Sequence, residues 1–266
     1  MGIMSGKKGL IMGVANEKSL AWGIAKSLAN QGAEMAFSYQ SEIFLKRVRP
    51  LAESIGNVEL IECDVSNDQS LDALFQKLEK NFGKIDFIVH AIAFSDKNEL
   101  TGKYMDTSRS NFLNTMDVSC YSFTSVCRHA SSYLSDNASI LTLTYLGAER
   151  VMPNYNMMGI AKAALEASIK YLAVDFGGRG IRVNGLSAGP VRTLASAGID
   201  DFRYILKWNQ YNAPLKRNTT LEDVGGTAVF LLSDLSSGVT GEVIHTDSGY
   251  HVVGMKAVDA PDISVV

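Results

Sequence analysis

Short apolar runs alternate with segments of helical periodicity along nearly the whole of this chain of 266 residues. The apolar runs have the length of buried strands, and the segments between them repeat their apolar residues every three or four positions, as a helix with one buried face does. Because parallel strands need a crossover between them, this alternation predicts a parallel sheet. The predicted strands are 9–13, 34–39, 58–63, 85–91, 139–144, 182–187 and 242–246, and the predicted helices are 19–29, 42–54, 68–82, 108–134, 156–176 and 221–233.

The order of these elements defines a fold class. Crossovers between parallel strands are right-handed, and successive helices then cover both faces of the sheet. We therefore predict an α/β fold, a Rossmann-type doubly wound parallel sheet with helices on both faces. No linker-like stretch or internal repeat divides the sequence, so residues 1–266 are predicted to form a single dinucleotide-binding domain. The carboxyl ends of the strands are the expected ligand-binding edge.

The composition limits the classes of function. Hydrophobic residues make up 46% of the chain, enough for a substantial core, and the formal net charge of −3 without a dense basic run argues against nucleic acid as a partner. No run of roughly 18 apolar residues is present and no apolar leader precedes the first strand, so we expect neither a membrane span nor a signal peptide. The cysteines and histidines lack the spacing of a metal site, so we expect reduced thiols, no metal and a cytoplasmic location. They are Cys63, Cys120, Cys127, His90, His129, His245 and His251.

One stretch, residues 145–162, joins a predicted strand end to a predicted helix start. Tyr145 follows the strand directly, Tyr155 precedes the helix, and Lys162 lies in the first turns of that helix. Two phenols and an ammonium group are thus brought to the ligand-binding edge of the sheet. We interpret this stretch as the active site of a reductase, with a nicotinamide cofactor beside it.

The turn after the first strand has the form of a dinucleotide phosphate site. Gly13 ends the strand and Gly23 lies in the following helix, although their spacing departs from the G-x-G-x-x-G pattern. Ser19 stands at the expected start of the helix, where its hydroxyl either caps the helix or donates to a phosphate oxygen. Gly13, Ser19 and the neighbouring Leu20 are therefore candidate cofactor-binding residues.

The ends of the next three strands carry the other candidate residues for binding the adenosine half of the cofactor and the wall beside its nicotinamide. After the second strand, Gln40 stands where an acidic residue would bind the ribose of NAD, and it can still bond to the ribose hydroxyls. No Arg or Lys adjoins Gln40 to neutralise a 2′-phosphate, which favours NADH over NADPH unless Lys46 or Arg47 folds back. The remaining candidates are Asp64 and Val65 after the third strand, for the adenine amino group, and Ile92 after the fourth, for the wall beside the ribose and nicotinamide.

Taken in order, these motifs resemble those of the short-chain dehydrogenase/reductase superfamily, and within it the NADH-dependent enoyl-acyl-carrier-protein reductases of bacterial type II fatty acid synthesis. The resemblance covers nearly all of the chain. It implies an enzyme that reduces trans-2-enoyl-acyl-carrier-protein to acyl-acyl-carrier-protein with NADH, has the acyl carrier protein as its partner and forms a homotetramer. The stretches that carry it are Gly13-Val14-Ala15-Asn16 with Ser19–Ala25, Cys63-Asp64-Val65, Tyr145 with Tyr155-x6-Lys162, Arg182-Val183-Asn184, Ala188–Thr193 and Gly241–His245.

The resemblance also implies roles for particular residues. Tyr145, Tyr155 and Lys162 take the catalytic positions. Tyr155 is expected to hydrogen-bond the developing oxyanion, and Lys162 to hold the nicotinamide ribose and to lower the pKa of the tyrosine. The cofactor contacts implied after strand 182–187 are Val191, Arg192, Thr193, Leu194 and Ala195.

The spacing of Tyr155 and Lys162 favours a carbon–carbon double bond as the site of reduction. In most of the superfamily, which reduces ketones, tyrosine and lysine are four residues apart, but position 158 is Met here. A separation of seven residues keeps both on one helix face and moves the tyrosine roughly 4–5 Å further from the lysine, at about 1.5 Å rise per residue. That offset suits an enoyl thioester, in which hydride adds to the β-carbon while charge develops on the carbonyl oxygen.

The irregular stretch after the sixth strand is predicted to hold a substrate lid at about 194–212, since long loops in compact domains are often functional. We expect Phe202 and Ile205 to line an acyl pocket beside Met157, and Ser95, after the fourth strand, to face the thioester. An ordinary surface helix is the alternative. The carrier protein is acidic, so a basic docking surface is expected near the lid. Arg192, Arg203 and Lys207 are basic, but the acidic Asp200 and Asp201 lie between them in the sequence.

Two other functions compete with this interpretation. A different short-chain reductase, acting on ketones or 2,4-dienoyl thioesters, would share the fold, but the spacing of Tyr155 and Lys162 disfavours a ketone. A cofactor-sensing binding protein that has lost the chemistry would not need both residues.

Overall fold

A sheet of seven parallel strands organises the computed structural model, which describes residues 2–56, 58–194 and 202–263. Its strands are β1 (Lys8–Met12), β2 (Glu34–Tyr39), β3 (Glu59–Glu62), β4 (Ile85–His90), β5 (Leu134–Thr144), β6 (Arg182–Ala188) and β7 (Val243–Thr246). Its α-helices are α1 (Leu20–Asn30), α2 (Glu42–Glu53), α3 (Asp68–Phe82), α4 (Arg109–Met116), α5 (Ser122–Ala130), α6 (Asn156–Gly177), α7 (Phe202–Asn212) and α8 (Leu221–Leu232). The order across the sheet is β3-β2-β1-β4-β5-β6-β7 with every neighbouring pair parallel, which confirms the predicted doubly wound α/β fold.

The strand side chains alternate between two apolar cores, one on each face of the sheet. Leu10 and Met12 of β1 belong to the first core, which α3, α5 and α6 cover, and Ile11 belongs to the second, which α1, α2 and α8 cover. Successive side chains of a strand point to opposite faces, so a strand covered by helices on both sides is apolar throughout. This burial on both faces explains the continuous apolar runs in the sequence.

The region predicted as one helix over 108–134 has three parts. A π turn at Asp117–Tyr121 follows α4, and α5 then ends at Ala130. A π turn inserts an extra residue into an otherwise regular helix, and no apolar pattern marks it in advance. The prediction of a helix here is therefore right, but the helix ends at Ala130 and does not reach the predicted end at residue 134.

Strand β5 begins earlier than the predicted start at residue 139. Leu134 pairs with Ile85, the register then shifts, and Ser139 pairs with Phe87. The intervening residues 135–137 are the polar sequence Ser-Asp-Asn. Because this irregular part of the strand is polar, a reading based on apolar runs places it in a loop.

The chain's longest helix, α6, belongs to the core. Its residues Leu165 and Ile169 are fully buried against the sheet. No helix of the described ranges is both long and apolar enough to cross a membrane.

Helices α1 and α8 pack closely because glycines lie at their contact. A Cβ added to Gly225 of α8 would lie 2.0 Å from Ser27 Oγ and 3.1 Å from the Gly23 carbonyl oxygen of α1. A Cβ on Gly23 would in turn lie 2.8 Å from Leu221 Cβ. The start of α1, where Ser19 lies, is thus held against α8 by backbone contact.

This contact yields a matched pair of glycine substitutions. Gly225→Ala should lower the free energy of unfolding by about 1–3 kcal/mol, because the added methyl overpacks the α1–α8 contact. Gly226→Ala, at the next position, meets open space and should leave stability unchanged or raise it by up to about 1 kcal/mol through helix propensity. Urea denaturation of both variants measures the difference, and equal shifts would contradict the packing described for Gly225.

Candidate active site

The crevice of the site lies where β1 and β4 meet, at the point where the strand order reverses. Gly13 follows β1 with φ +98, and a Cβ on it would lie 2.1 Å from the Ala91 carbonyl oxygen after β4. The two strand ends are joined there by a hydrogen bond of 3.1 Å from the Ala91 amide to the Met12 carbonyl oxygen. Glycine is required for both the conformation and the space. Dinucleotides bind at such a switch point, so the structure places Gly13 where the prediction needs it.

Ser19 stands at the N-cap position of α1 but does not cap the helix. Its Oγ accepts hydrogen bonds from the amides of Ala15 at 3.0 Å and Asn16 at 3.1 Å, and it makes no side-chain bond to the helix amides. The hydroxyl therefore shapes the loop between Gly13 and Leu20 and keeps its own proton for donation. Of the two interpretations left open by the sequence, capping is wrong. No side chain caps the first amides of α1, and uncapped helix N-terminal amides suit an anion.

The remaining nucleotide-side candidates lie in a row at the carboxyl ends of β2, β3 and β4. Gln40 is exposed directly after β2. Asp64, after β3, uses Oδ1 to accept the Ser66 amide at 3.0 Å. Val65 is buried in the core, so its side chain packs rather than reaching the surface, and Ile92 is half-buried against the same core. Their strands lie on both sides of β1 in the order β3-β2-β1-β4, and all are parallel, so the structure brings these residues to the same edge of the sheet as Gly13.

Lys162 is a buried ammonium group beside the end of β5. Its side chain is 7% exposed, and Nζ donates to the Leu143 carbonyl oxygen at 2.8 Å. Burial lowers the pKa of Lys162 to about 8. Glu166, one turn further along α6, accepts from Thr144 Oγ1 at 2.6 Å, and burial raises the pKa of this carboxyl. The expected strand end and helix start do bring Lys162 next to the segment that carries Tyr145.

Tyr145 and Tyr155 are in direct contact. Their ring centroids are 5.0 Å apart and the rings meet edge to face at 72°. Burial raises the pKa of both phenols above the usual value. Tyr250 and Asp247 add to the rise at Tyr145, and Tyr145 and Glu166 add to it at Tyr155. The expectation that Lys162 lowers the pKa of Tyr155 is not met, because burial and the neighbouring Tyr145 and Glu166 all raise that pKa. Tyr155 is a protonated hydrogen-bond donor.

Backbone packing fixes the ring of Tyr155 on one side, and hydrogen bonds fix the start of α6 that follows it. A Cβ on Gly147 would lie 2.4 Å from its ring, so the backbone of the loop after β5 packs directly on the phenol. On the helix side, Asn156 Nδ2 donates to the carbonyl oxygens of Thr101 at 3.4 Å and Gly102 at 3.3 Å, which ties the start of α6 to that loop. Sequence reasoning missed Gly147 and Asn156. A glycine between the two candidate tyrosines was the available signal for the first.

An apolar cavity of about 220 Å³ opens beside Tyr145. Ile205 of α7 lines it, as expected, whereas Phe202 is half-buried outside the lining. Met157 is fully buried and does not line it, which corrects the expected acyl contact. Met158, one residue further along the helix, packs on Tyr155 instead.

Ser95 does not turn its hydroxyl toward an open site. Ser95 Oγ donates to Asn111 Oδ1 at 3.3 Å and accepts from Thr115 Oγ1 at 2.9 Å. Two residues of α4 thus engage the group that was expected to face the thioester. The loop after β4 is fixed by the same helix, since Asn111 Oδ1 also accepts the Asp96 amide at 3.0 Å.

A second cavity, of about 480 Å³, lies between the turn after β6 and the outer side of α7. Val191 and Arg192 line it, while Thr193 follows them and Leu194 is exposed. Ala195 lies outside the described residues. Arg192, Arg203 and Lys207 all contribute to the lining, so this cavity carries positive charge and favours anionic ligands.

His90 is a buried residue of the site that sequence reasoning placed only in an apolar wall. It ends β4 with no exposed surface, between Thr142 Oγ1 at 3.1 Å from Nδ1 and Ser122 Oγ at 3.0 Å from Nε2. Burial, aided by the nearby Lys162 charge, lowers the pKa of His90 to about 3. The imidazole is therefore neutral and acts as a rigid link between β4, β5 and α5.

The fold and the Tyr–Lys helix beside the switch point define the chain as a short-chain dehydrogenase/reductase. The family model described as enoyl-(acyl carrier protein) reductase matches residues 13–251, and the chain belongs to this family. A Rhizobium meliloti protein named enoyl-[acyl-carrier-protein] reductase [NADH] 1 is 66% identical over all of this chain and 97% of its own length. A Rickettsia felis protein named enoyl-[acyl-carrier-protein] reductase [NADH] FabI is 55% identical over 95% of this chain and 97% of its own length.

Solved structures agree with the sequence relatives. The enoyl-acyl-carrier-protein reductase of Anaplasma phagocytophilum, in complex with NAD, has a TM-score of 0.94 at 61% identity and covers 98% of each chain. The Bacillus cereus enzyme of the same name, in complex with NADP⁺ and an indole naphthyridinone, has a TM-score of 0.94 at 50% identity. The match covers 96% of this chain and 100% of that chain.

The low pKa of His90 makes stability depend on pH. Below the ordinary histidine pKa of about 6.5 the unfolded chain binds a proton at His90, whereas the folded chain does not bind it until about pH 3. The free energy of unfolding should therefore fall by about 1.4 kcal/mol for each unit that the pH is lowered in that window. Urea denaturation at pH 7 and pH 5 should therefore show roughly 2 kcal/mol more loss for the wild type than for His90→Gln, which keeps polar groups but cannot titrate. Parallel pH profiles for the two proteins would show that His90 is not held neutral.

Proposed function

We propose that this chain reduces trans-2-enoyl-acyl-carrier-protein to acyl-acyl-carrier-protein with NADH, in the elongation cycle of type II fatty acid biosynthesis. The observation that carries the proposal is the pair Tyr155 and Lys162, a buried protonated phenol at the N-cap of α6 and a buried ammonium group seven residues further along that helix. The relatives' names give the same substrate and the same cofactor. A ketone reductase would need a tyrosine at position 158, where Met158 packs on Tyr155.

The crevice at the switch point suits a nicotinamide dinucleotide. Gly13 leaves room for close approach, the uncapped start of α1 suits the pyrophosphate, and Gln40 suits the ribose hydroxyls of the adenosine. When bound, NADH supplies the hydride. Gln40, without an adjacent cation, supports NADH over NADPH, although the Bacillus cereus neighbour was solved with NADP⁺. Asp64, Val65, Ile92, Val191, Arg192, Thr193, Leu194 and Ala195 remain proposed contacts.

Tyr155 acts on the substrate in this proposal. Its phenol stays protonated at neutral pH because it is buried, so it can donate a hydrogen bond to the thioester oxygen as negative charge develops there. Such a bond is stronger to the developing enolate than to the ground-state carbonyl, which is the condition for acceleration. Tyr145, edge to face with Tyr155, and the backbone of Gly147 keep the phenol in place.

Lys162 binds and orients the cofactor. An ammonium group has three protons, and the Leu143 carbonyl oxygen takes one of them. The other two are free to hold the hydroxyls of the nicotinamide ribose. The bond to Leu143 fixes the direction of the side chain, so the end of β5 positions the cation.

A homotetramer, with α6 at one subunit contact, is part of the proposal. The outer face of α6 is apolar although it is exposed, which is unusual for a helix of a monomeric protein. Tyr171 is 77% and Val174 80% exposed, and Leu113 of α4 is 60% exposed. The spacing of the α6 residues repeats along one stripe, as it does where two helices pack together. The stripe consists of Ile160, Ala163, Ala167, Tyr171 and Val174.

We assign the protein to the cytoplasm. Cys63, Cys120 and Cys127 are all buried and free, as a reducing compartment allows. The acyl carrier protein, its proposed partner, would approach the side of the lid, where the cavity with Arg192, Arg203 and Lys207 carries positive charge.

The assignment of roles is tested by two substitutions with different signatures. Tyr155→Phe removes only the donor and should lower kcat by about a hundredfold with little change in the KM for NADH. Lys162→Ala should raise the KM and the Kd for NADH by about tenfold or more. NADH oxidation with crotonyl thioester, together with NADH titration by fluorescence, measures both.

Lys170→Ala is the matched control, because Lys170 is an exposed lysine of the same helix. It should retain the wild-type values. Full activity in both Tyr155→Phe and Lys162→Ala would refute the roles, and a wild-type protein that does not oxidise NADH with any enoyl thioester would refute the function.

The subunit contact is tested by charge on the apolar stripe. Val174→Asp should break the contact and reduce the assembly, because the carboxylate would lose its water in the interface. Size-exclusion chromatography with light scattering should show a smaller species than the wild type. Lys170→Asp, beside the stripe, serves as the comparison for added acidity, and an unchanged mass for Val174→Asp would exclude α6 from the contact.

A further inference from the structure

The apolar cavity beside Tyr145 is walled by three separate parts of the chain. The loop after β5 supplies one wall, the end of β6 supplies a second, and α7 together with the segment after β7 supplies the third. From α7 the cavity receives Tyr204, Ile205 and Trp208, and from the segment after β7 it receives Tyr250. The third wall is therefore a seam between two pieces of chain that are distant in sequence.

One hydrogen bond closes this seam. Trp208 Nε1 donates to the Tyr250 hydroxyl at 2.8 Å. The indole also contacts the ring of Tyr204, with the ring centroids 5.9 Å apart. Further along α7, Asn212 Oδ1 accepts the Ala257 amide at 2.9 Å. The helix of the predicted lid is thus fastened to the segment after β7 at two points, and the Trp208–Tyr250 bond is the one that lies in the cavity wall.

The chemistry of this bond distinguishes short from long alkyl chains. A partly buried indole N–H needs a hydrogen-bond acceptor, and the Tyr250 hydroxyl oxygen is the acceptor of Trp208 here. An alkyl chain offers neither a donor nor an acceptor. A chain that ends before the seam leaves the bond intact, whereas a chain that enters the seam parts the two groups and leaves the indole N–H without its acceptor.

From this we infer that the Trp208–Tyr250 hydrogen bond sets the acyl-chain length that the enzyme accepts without penalty. The pair determines specificity and does not act on the reacting atoms. The inference rests on the proposed function, since it takes the apolar cavity as the place of the acyl chain of an enoyl thioester. It adds that a polar latch, the hydrogen bond between α7 and the segment after β7, sets the upper limit of chain length. The apolar residues that line the rest of the cavity do not set it.

The latch is tested by removing each half of the hydrogen bond while an aromatic ring is kept at each position. Tyr250→Phe removes the acceptor and Trp208→Phe removes the donor. The kcat/KM values of the full-length protein are measured with crotonyl, dodecenoyl and hexadecenoyl thioesters of acyl carrier protein. The ratio of the hexadecenoyl value to the crotonyl value should rise about fivefold in each variant, the size of one ordinary hydrogen bond.

The double variant separates a latch from two independent packing effects. Because both substitutions remove the same bond, Tyr250→Phe combined with Trp208→Phe should raise the ratio no further than either alone. Tyr211→Phe is the matched control. It removes a phenol hydroxyl from the same helix at a position that is 39% exposed and does not line the cavity, so its ratio should equal that of the wild type.

The outcomes are distinct. An unchanged ratio in either single variant, or additive increases in the double variant, would overturn the latch. A wild-type protein that fails to oxidise NADH with crotonyl thioester would overturn the proposed function instead. Wild-type activity with crotonyl thioester and an unmoved ratio would leave the function standing and remove only the latch.

Discussion

The approach of the Gly13 backbone to the Ala91 carbonyl oxygen is the contact on which the rest of the site depends. At this point the strand order of the sheet reverses, so the helices after β1 and β4 leave toward opposite faces and a crevice opens between them. Any side chain at Gly13 would collide with the end of β4 and fill the crevice. The backbone contact therefore sets the position of the start of α1 on one side and of the loop with Ile92 on the other.

Burial sets the chemical character of the groups around this crevice. Removal from water disfavours charge, which keeps Tyr145 and Tyr155 as phenols, keeps His90 neutral and lowers the pKa of Lys162. A neutral phenol suits hydrogen-bond donation to a developing oxyanion better than a phenolate would. The cost is that every one of these polar groups needs a defined neighbour. The Leu143 carbonyl oxygen for Lys162, and the hydroxyls of Thr142 and Ser122 for His90, are such neighbours.

The sequence was sufficient for the fold and the order of the candidate site residues, and insufficient for the direction of individual side chains. Strands buried on both faces are continuous apolar runs, so their alternation with helices determined the topology. Met157 illustrates the limit: successive helix residues differ by about 100°, and only the rotation of α6 on the sheet decides that Met158 is the one on Tyr155. Ser19 and Ser95 were placed on the right loops, but their hydroxyls bond to neighbours that no spacing reveals.

The π turn at Asp117–Tyr121 gives the helical stretch a fixed residue count. Ser119 in this turn is fully buried; its Oγ accepts the Phe94 amide at 2.9 Å and donates to the Phe94 carbonyl oxygen at 2.8 Å. A regular helix with the same number of residues would turn everything beyond the π turn by about 100° relative to the sheet. Phe123 and Cys127 would then leave the core, or the residues before them would lose the loop after β4. The wide turn thus absorbs one residue more than a regular helix needs, and it leaves both flanking helices in place.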